Sequence, residues 1–471
     1  MTPHLSKSPE TIYRLGIRVT SMLFTKPASS LILSVIVLFT VKILSLPAQE
    51  INRNGVRVQS SNVVQIHRFN NELLRIHGDI LAGNPNNPPP PPVVVPGAIG
   101  SQPTLVMLVN FQDNTSQPYT LSEATTAIFT AANAFISENS YLQTSLTGTV
   151  VGWYTLPTTM AALQNGNGCN IQAIQYYANV AATAAGVNVA GYRRLVYLFP
   201  NISFCGFAGA SDLGGNPSHT FFNGVLTTHT VVHEFGHAFG LLHSQFLFCG
   251  PAIIGDLANC IIVEYGDPGD ALGSLSDYAA HFNAFQKERL GWLNFGPSPT
   301  ITTALTNGTY SIQPFETATS GAKAIKIFQA VDSASGMNMY FYLEARKGVG
   351  LYDSYITSWN DPGCINYTTT CPGYFHADGY YPCCNSQMYA ENLTSGVVVH
   401  RGTPTLGNTS YLLDMSGSAA NWYSLGTNYA LAVGQTFTDP VSGLTISTVS
   451  ADATGATVVL NNVHTPPGKK K

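Results

Sequence analysis

Charge is scarce in this chain. Only 10% of its 471 residues are Asp, Glu, Lys or Arg, and 21 basic residues fall short of 25 acidic ones, for a formal charge of −4. A surface without a basic excess lacks the electrostatic footprint that grips phosphate backbones, so no nucleic-acid partner is expected. The one basic cluster, Lys469, Lys470 and Lys471, reads as the solvated end of a tail over residues 464–471. Cysteine is missing from the first 168 residues, and none of the eight cysteines beyond them stands in the C-x-x-C spacing of a zinc ribbon. Disulfides are therefore expected. Cys249 and Cys260 bracket a loop, while Cys364, Cys371, Cys383 and Cys384 share one Tyr- and Pro-rich insertion; spacing alone leaves the pairing open. Internal repeats are absent, and so is any second long apolar span. What the chain has instead is length and a hydrophobic content of 45%, enough for a large core divided over two or three domains.

Residues 31–41, LILSVIVLFTV, lie behind Lys7, Arg14, Arg18 and Lys26 and ahead of SLPAQE, the organisation of a secretory signal. Met22 would serve as a start that shortens the basic region, and cleavage after Ala48 would leave Leu46 and Ala48 at the recognition positions. The competing expectation is a retained membrane anchor over Pro27 to Leu46, interrupted by Lys42. Both place the folded part outside the cell, secreted in the first case and tethered in the second.

Residues 49–96 read as a short pro-segment and linker. Val63, Ile66, Phe69, Leu73, Ile76 and Ile80 recur at helical spacing, and NPNNPPPPPVVVPG over 84–97 excludes both helix and central strand. A spacer that holds a domain off a membrane is the alternative use of this stretch. From residue 97 to 296, apolar runs of strand length (104–111, 147–156, 193–199) alternate with helical patterns (122–139, 171–185, 229–242, 281–292), which predicts a layered α/β or α+β domain. From 297 to 463 short alternating runs such as AIKIFQA (324–330), MYFYLEA (339–345), GVVVHR (396–401), LTISTVS (444–450) and TVVL (457–460) predict a mainly β, sandwich-like C-terminal domain.

One stretch carries chemistry. In VVHEFGHAFGLLHS, residues 231–244, His233 and His237 stand four apart and share a helix face, so both imidazoles reach one ion. Gly240 can take the left-handed conformation that ends the helix and turns the chain back, bringing His243 to the same ion. Three nitrogens with one position left open is the ligand set of a catalytic Zn2+ site. Glu234, about 100° around the helix from His233, is placed to act as general acid/base on a water whose pKa zinc lowers from 15.7 towards about 7. The spacing H-E-x-x-H-x-x-G-x-x-H arises by chance in this composition with a probability on the order of 10⁻⁵. His229 sits four before His233, but a fourth ligand would close the open position, so it is expected at the helix start or the rim. Residues 49–100 contain no cysteine, so no thiolate from the pro-segment can block the metal.

The stretch from His233 to Ser244 resembles the zinc helix of the metzincin metalloendopeptidases. The segment EYGDPGDALGSLSDYAAHFNAFQKERLGWL (264–293), together with LLDMSGS and ALAVGQTFTDP further on, is similar to the gametolysin-like peptidases, the likeness covering about residues 100–463. This resemblance implies a metzincin-type fold with His233, His237 and His243 as metal ligands and Glu234 as the catalytic residue. It implies cleavage of peptide bonds in protein or peptide substrates outside the cell, and in some relatives the substrates are matrix or cell-wall glycoproteins. Metzincins carry a methionine in a tight turn beneath the zinc, and the aligned residue here is Leu272, a substitution of similar volume that should cost less than about 1.5 kcal/mol. Tyr265, Asp267, Asp270 and His281 are expected to hold the loop and cap the next helix. Tyr278 could steady an oxyanion. The rival to an endopeptidase is a zinc-containing extracellular adhesion or binding protein with weak or no turnover.

Overall fold

The computed structural model describes residues 97–166, 168–255, 257–273, 279–332, 335–354, 393–415 and 429–467, with the backbone of 50–51 and 57–58. The signal or anchor, the helix expected over 63–80, the proline run, Tyr278, and Cys364, Cys371, Cys383 and Cys384 lie outside the described residues.

The first sheet is built on β1 (Gly100–Phe111), whose run from Leu105 to Val109 is buried on both faces, as a central strand of a covered sheet must be. It pairs in parallel with β2 (Thr144–Leu156) on one side and β3 (Arg194–Phe199) on the other; β4 (Gly209–Ser211) closes the far edge, antiparallel to β5 (Ser218–Asn223), in the order β2-β1-β3-β5-β4. Alternate side chains serve opposite faces. Val106, Leu108, Val196, Leu198 and Phe222 meet Ile128 and Phe135 of α1 (a continuous segment, Leu121–Thr125, a π-helical stretch Thr126–Ala132, and Asn133–Asn139) and Val232 and Phe235 of α3 (Thr228–Ala238). Leu105, Met107, Leu195, Tyr197 and Phe221 face the other way, onto Ile171, Ile174 and Ala178 of α2 (Ile171–Ala184).

Two helices end sooner than their apolar spacing predicts. The Thr227 side chain accepts from Thr230 N to start α3, and the helix stops at Ala238 because Gly240 takes φ +103°. Gly240 N and Gly214 N both donate to His237 O at 2.8 Å, and Leu241 N donates to Gly236 O at 3.0 Å, satisfying carbonyls that the ended helix leaves open. The helix expected over 281–292 is α4, Ala284–Leu290: Asn283 caps its start by accepting from Gln286 N, and Gly291 at φ +74° ends it. Polar capping groups and left-handed glycines, rather than the last apolar residue, set both limits.

The strands beyond α4, joined by two short ones that precede it, form a sandwich of two sheets. The larger runs β7-β6-β13-β12-β11-β10-β8, where β6 is Gln245–Phe248, β7 Ile261–Val263, β8 Ile301–Ala304, β10 Ala324–Val331, β11 Asn338–Glu344, β12 Gly396–Gly402 and β13 Tyr411–Leu413; β14 (Ala430–Ala432) also pairs with β12. The smaller has the order β9-β17-β16-β15, from Gly308–Ile312, Gly455–Asn461, Thr445–Asp452 and Thr436–Thr438. Ile325, Ile327, Phe341, Leu343 and Val399 of the large sheet pack on Ile312, Phe437, Ile446, Val458 and Leu460 of the small one. The large sheet draws strands from both sides of residue 297, because β6 pairs in parallel with β13. Cys249 and Cys260 form a disulfide across the β6–β7 loop, and Cys169 pairs with Cys205. Among the described residues no helix is long and apolar enough to cross a membrane.

Trp292 fastens the end of α4 to the core of the first sheet and its helices: it is fully buried against Phe239 and Phe282, and its indole donates to Ala98 O at 3.2 Å. Trp292→Ala is expected to cost about 3–5 kcal/mol, read as a fall in the unfolding midpoint in guanidinium; a change under about 1 kcal/mol would mean that the ring is not the packing element described.

Candidate metal centre

The chain reversal at Gly240 brings His243 back to α3, and the ligand atoms of His233, His237 and His243 lie within 4.8 Å of one another, all buried. The partners of their other ring nitrogens decide their tautomers. His233 Nδ1 lies 2.8 Å from Ala271 O and His237 Nδ1 lies 2.8 Å from Leu241 O. Carbonyls only accept, so both imidazoles carry a proton on Nδ1, and in the neutral ring that leaves the Nε2 lone pair for a ligand. His243 Nδ1 donates to Glu264 Oε1 at 2.7 Å. Burial lowers the His243 pKa and keeps the ring neutral against the opposing pull of Glu264, whose own pKa is lowered by that hydrogen bond.

The Nε2 atoms of His233 and His237 face each other at 3.1 Å. Two lone pairs at that distance repel unless a proton or a metal ion sits between them, and two nitrogens bound to one tetrahedral zinc at roughly 2.0–2.1 Å stand about 3.3 Å apart. The donor set and its spacing therefore fit a zinc ion. His229 lies outside this cluster, its ring centroid 5.6 Å from that of His233.

Glu234 is 3% exposed, and its Oε2 has no hydrogen-bond partner among the described residues. Burial pushes its carboxyl up to about 8. Its side chain fills the space that a residue larger than glycine would take at position 209: a Cβ there would lie 2.5 Å from Glu234 Cγ and 2.6 Å from Oε1. The edge strand β4 thus approaches the helix closely only because it carries Gly209.

Leu272 forms the floor. It is fully buried, and its Cδ2 lies so near Gly236, between the first two histidines, that a Cβ at that glycine would meet it at 2.7 Å. Asp270 and Asp267 hold the turn as expected. Asp270 accepts from Leu272 N and from Asn283 N, each at 2.7 Å, and Asp267 accepts from Gly269 N at 2.9 Å. His281 is buried and its Nε2 lies 2.9 Å from Glu138 Oε1, remote from the triad. Tyr265 departs from the role of a loop holder. At φ +61° it lays its ring 3.8 Å from that of His243 and 5.9 Å from that of His233, centroid to centroid, and so lines the site. Sequence reasoning missed Glu264 and Gly209. Neither stands at a spacing that marks it, since their roles depend on how distant segments meet.

Leu272→Met should change stability by less than about 1.5 kcal/mol, whereas Gly236→Ala drives a methyl into Leu272 and should cost about 1–3 kcal/mol. Denaturant unfolding of the metal-free chain tests both, and equal effects would contradict the tight contact between helix and floor.

Residues 122–347 match the gametolysin peptidase family M11. Among solved structures the chain is similar to metalloproteinase-II from Bacteroides fragilis, at 13% identity over 45% of this chain and 59% of that one, with a TM-score of 0.27. This chain therefore spans less than two thirds of that protein's length. No curated protein matches the sequence. The family match runs from α1 through all three histidines and Glu234 to just past the end of β11, so this part of the chain is similar to the gametolysin peptidases, a family that implies a metal ion at this centre.

Proposed function

We propose that this protein is a secreted zinc endopeptidase of metzincin type, in which His233, His237 and His243 hold the ion and Glu234 is the general acid/base. The observation that carries the reading is the pairing of three converging imidazoles with a buried carboxyl group one residue from the first of them, whose Oε2 has no hydrogen-bond partner among the described residues. A purely structural metal site has no use for such a group, and burying it without a hydrogen bond is costly. An all-imidazole set suits zinc. When bound, zinc polarises the scissile carbonyl and lowers the pKa of water towards neutrality.

The rest falls to the chain's own atoms. Glu234 accepts a proton from the attacking water and hands it to the departing amine nitrogen. Ala271 O, Leu241 O and Glu264 hold a proton on Nδ1 of each ring and keep the three Nε2 atoms aimed inward. The ring of Tyr265, lying across His243, walls the site on that side. Residues 97–296 are proposed as the catalytic part and 297–463 as the β-rich part that supports it. The disulfides Cys169–Cys205 and Cys249–Cys260 support an oxidising, extracellular destination, and the substrates proposed are extracellular proteins or peptides.

Leu272 in place of methionine favours the rival, a zinc-holding adhesion protein without turnover, but the buried Glu234, whose Oε2 has no partner among the described residues, argues against it. Purified chain incubated with casein, with and without a chelator, separates the two: chelator-sensitive cleavage is expected, and bound zinc without cleavage supports the rival. Glu234→Gln should lower cleavage by a factor on the order of 10²–10⁴ while zinc stays bound; retained activity would remove Glu234 from the mechanism. Gly209→Ala should reduce kcat with zinc affinity unchanged, because the methyl displaces Glu234 and not the histidines. Full activity in that variant would contradict the tight packing of β4 on the carboxylate.

A further inference from the structure

The loop beneath the metal centre is fastened from the far side by charged residues of the large β-sheet. His400 on β12 meets Asp267 with Nε2 2.8 Å from Oδ2, and both side chains are buried. Arg346, two residues past the end of β11, donates through Nη2 to Gly269 O at 2.7 Å. The same guanidinium is fixed by Asp353, Nε to Oδ2 at 2.7 Å and Nη2 to Oδ1 at 3.0 Å, and by Glu344 Oε1 at 3.2 Å from Nη1. Glu344 Oε2 in turn accepts from Ala284 N, the first residue of α4, and Asn283 Nδ2 joins Ser410 Oγ, Ser244 Oγ and Asp267 Oδ2. Two anchors from the sheet thus grip the loop at residues 267 and 269. Two and four residues later the same loop supplies Ala271 O, which fixes the tautomer of His233, and Gly273, where the turn closes on Asp267.

Burying this many charges is a poor route to stability, because desolvation offsets much of their attraction and apolar residues of the same size would often serve as well. Their hydrogen bonds go to particular backbone and carboxylate atoms of one loop, which is what a positioning device requires.

We propose that the C-terminal β-sheet is the outer support of the metal centre, with His400 and Arg346 as positioning residues that act through the 267–273 loop on His233. This rests on the reading of the histidine triad as a zinc site. The β-rich region is then part of the metal-binding machinery, and the first 296 residues alone lack both of these anchors.

The test uses the full chain, a chromophoric chelator competing for zinc, and thermal unfolding of the metal-free protein. His400→Gln and Arg346→Lys should each weaken zinc binding by about 10- to 100-fold, as loss of outer partners of metal ligands does. Lys326→Met serves as the control: Lys326 pairs with Glu288 at 2.8 Å on β10 of the same sheet and touches nothing in the loop, so it should lower the unfolding temperature and leave zinc affinity as it was. Arg346→Lys keeps the charge, and it decides the matter if His400→Gln does not fold. Folded variants with unchanged zinc affinity overturn the proposal, as does an equal loss in the control. Failure of the unsubstituted chain to bind zinc overturns the metal reading itself, a result distinct from either.

Discussion

An imidazole offers a metal its Nε2 lone pair only while its proton rests on Nδ1, and in this chain each of the three protons is held by an acceptor from a different place. Leu241 O belongs to the chain reversal after α3, Ala271 O to the loop under the helix, and the Glu264 carboxylate to the segment leading into that loop. The centre therefore exists only when three backbone features are in register together. Gly240, Leu272 and the turn from Asp267 to Gly273 are explained by this one requirement: each sets the position of an acceptor or supports the ring that uses it.

The second constraint is a carboxylate kept where water would otherwise solvate it. Glu234 is buried on the same helix as two of the ligands, pressed against a glycine in the edge strand, with its pKa raised by desolvation. A fold that maximised stability would have placed an apolar residue there. The cost is intelligible where the group must exchange a proton, and polar groups held at a loss are a common mark of functional sites.

The convergence of the three histidines was legible in sequence because its information is local: a four-residue helical spacing and a glycine that ends the helix. The central strands of the first sheet were legible for the same reason, since a run such as TLVMLVNF can only be buried on both faces. Less could be read where distant segments meet. The ends of α3 and α4 were set by Gly240 and by Asn283 with Gly291, inside windows whose apolar periodicity runs on. The short strands β4, β6 and β7 carry too few residues to show a period, and β6 takes its place through a parallel pairing with Tyr411–Leu413, far along the chain. Glu264 and Gly209 gain their roles from tertiary approach, as does His400, 133 residues from the aspartate it meets.

Seen this way, the sandwich and the α+β layers are joined by more than a linker, because strands from both sides of residue 297 share one sheet and that sheet reaches back to the loop under His233. The central claim is that three imidazole nitrogens converge on one ion. X-ray absorption of the zinc-loaded protein reads this directly. Three nitrogen scatterers at roughly 2.0–2.1 Å with an additional oxygen, and no sulfur, is the result the account predicts; a shell containing sulfur near 2.3 Å, or fewer than three histidine nitrogens, would contradict it.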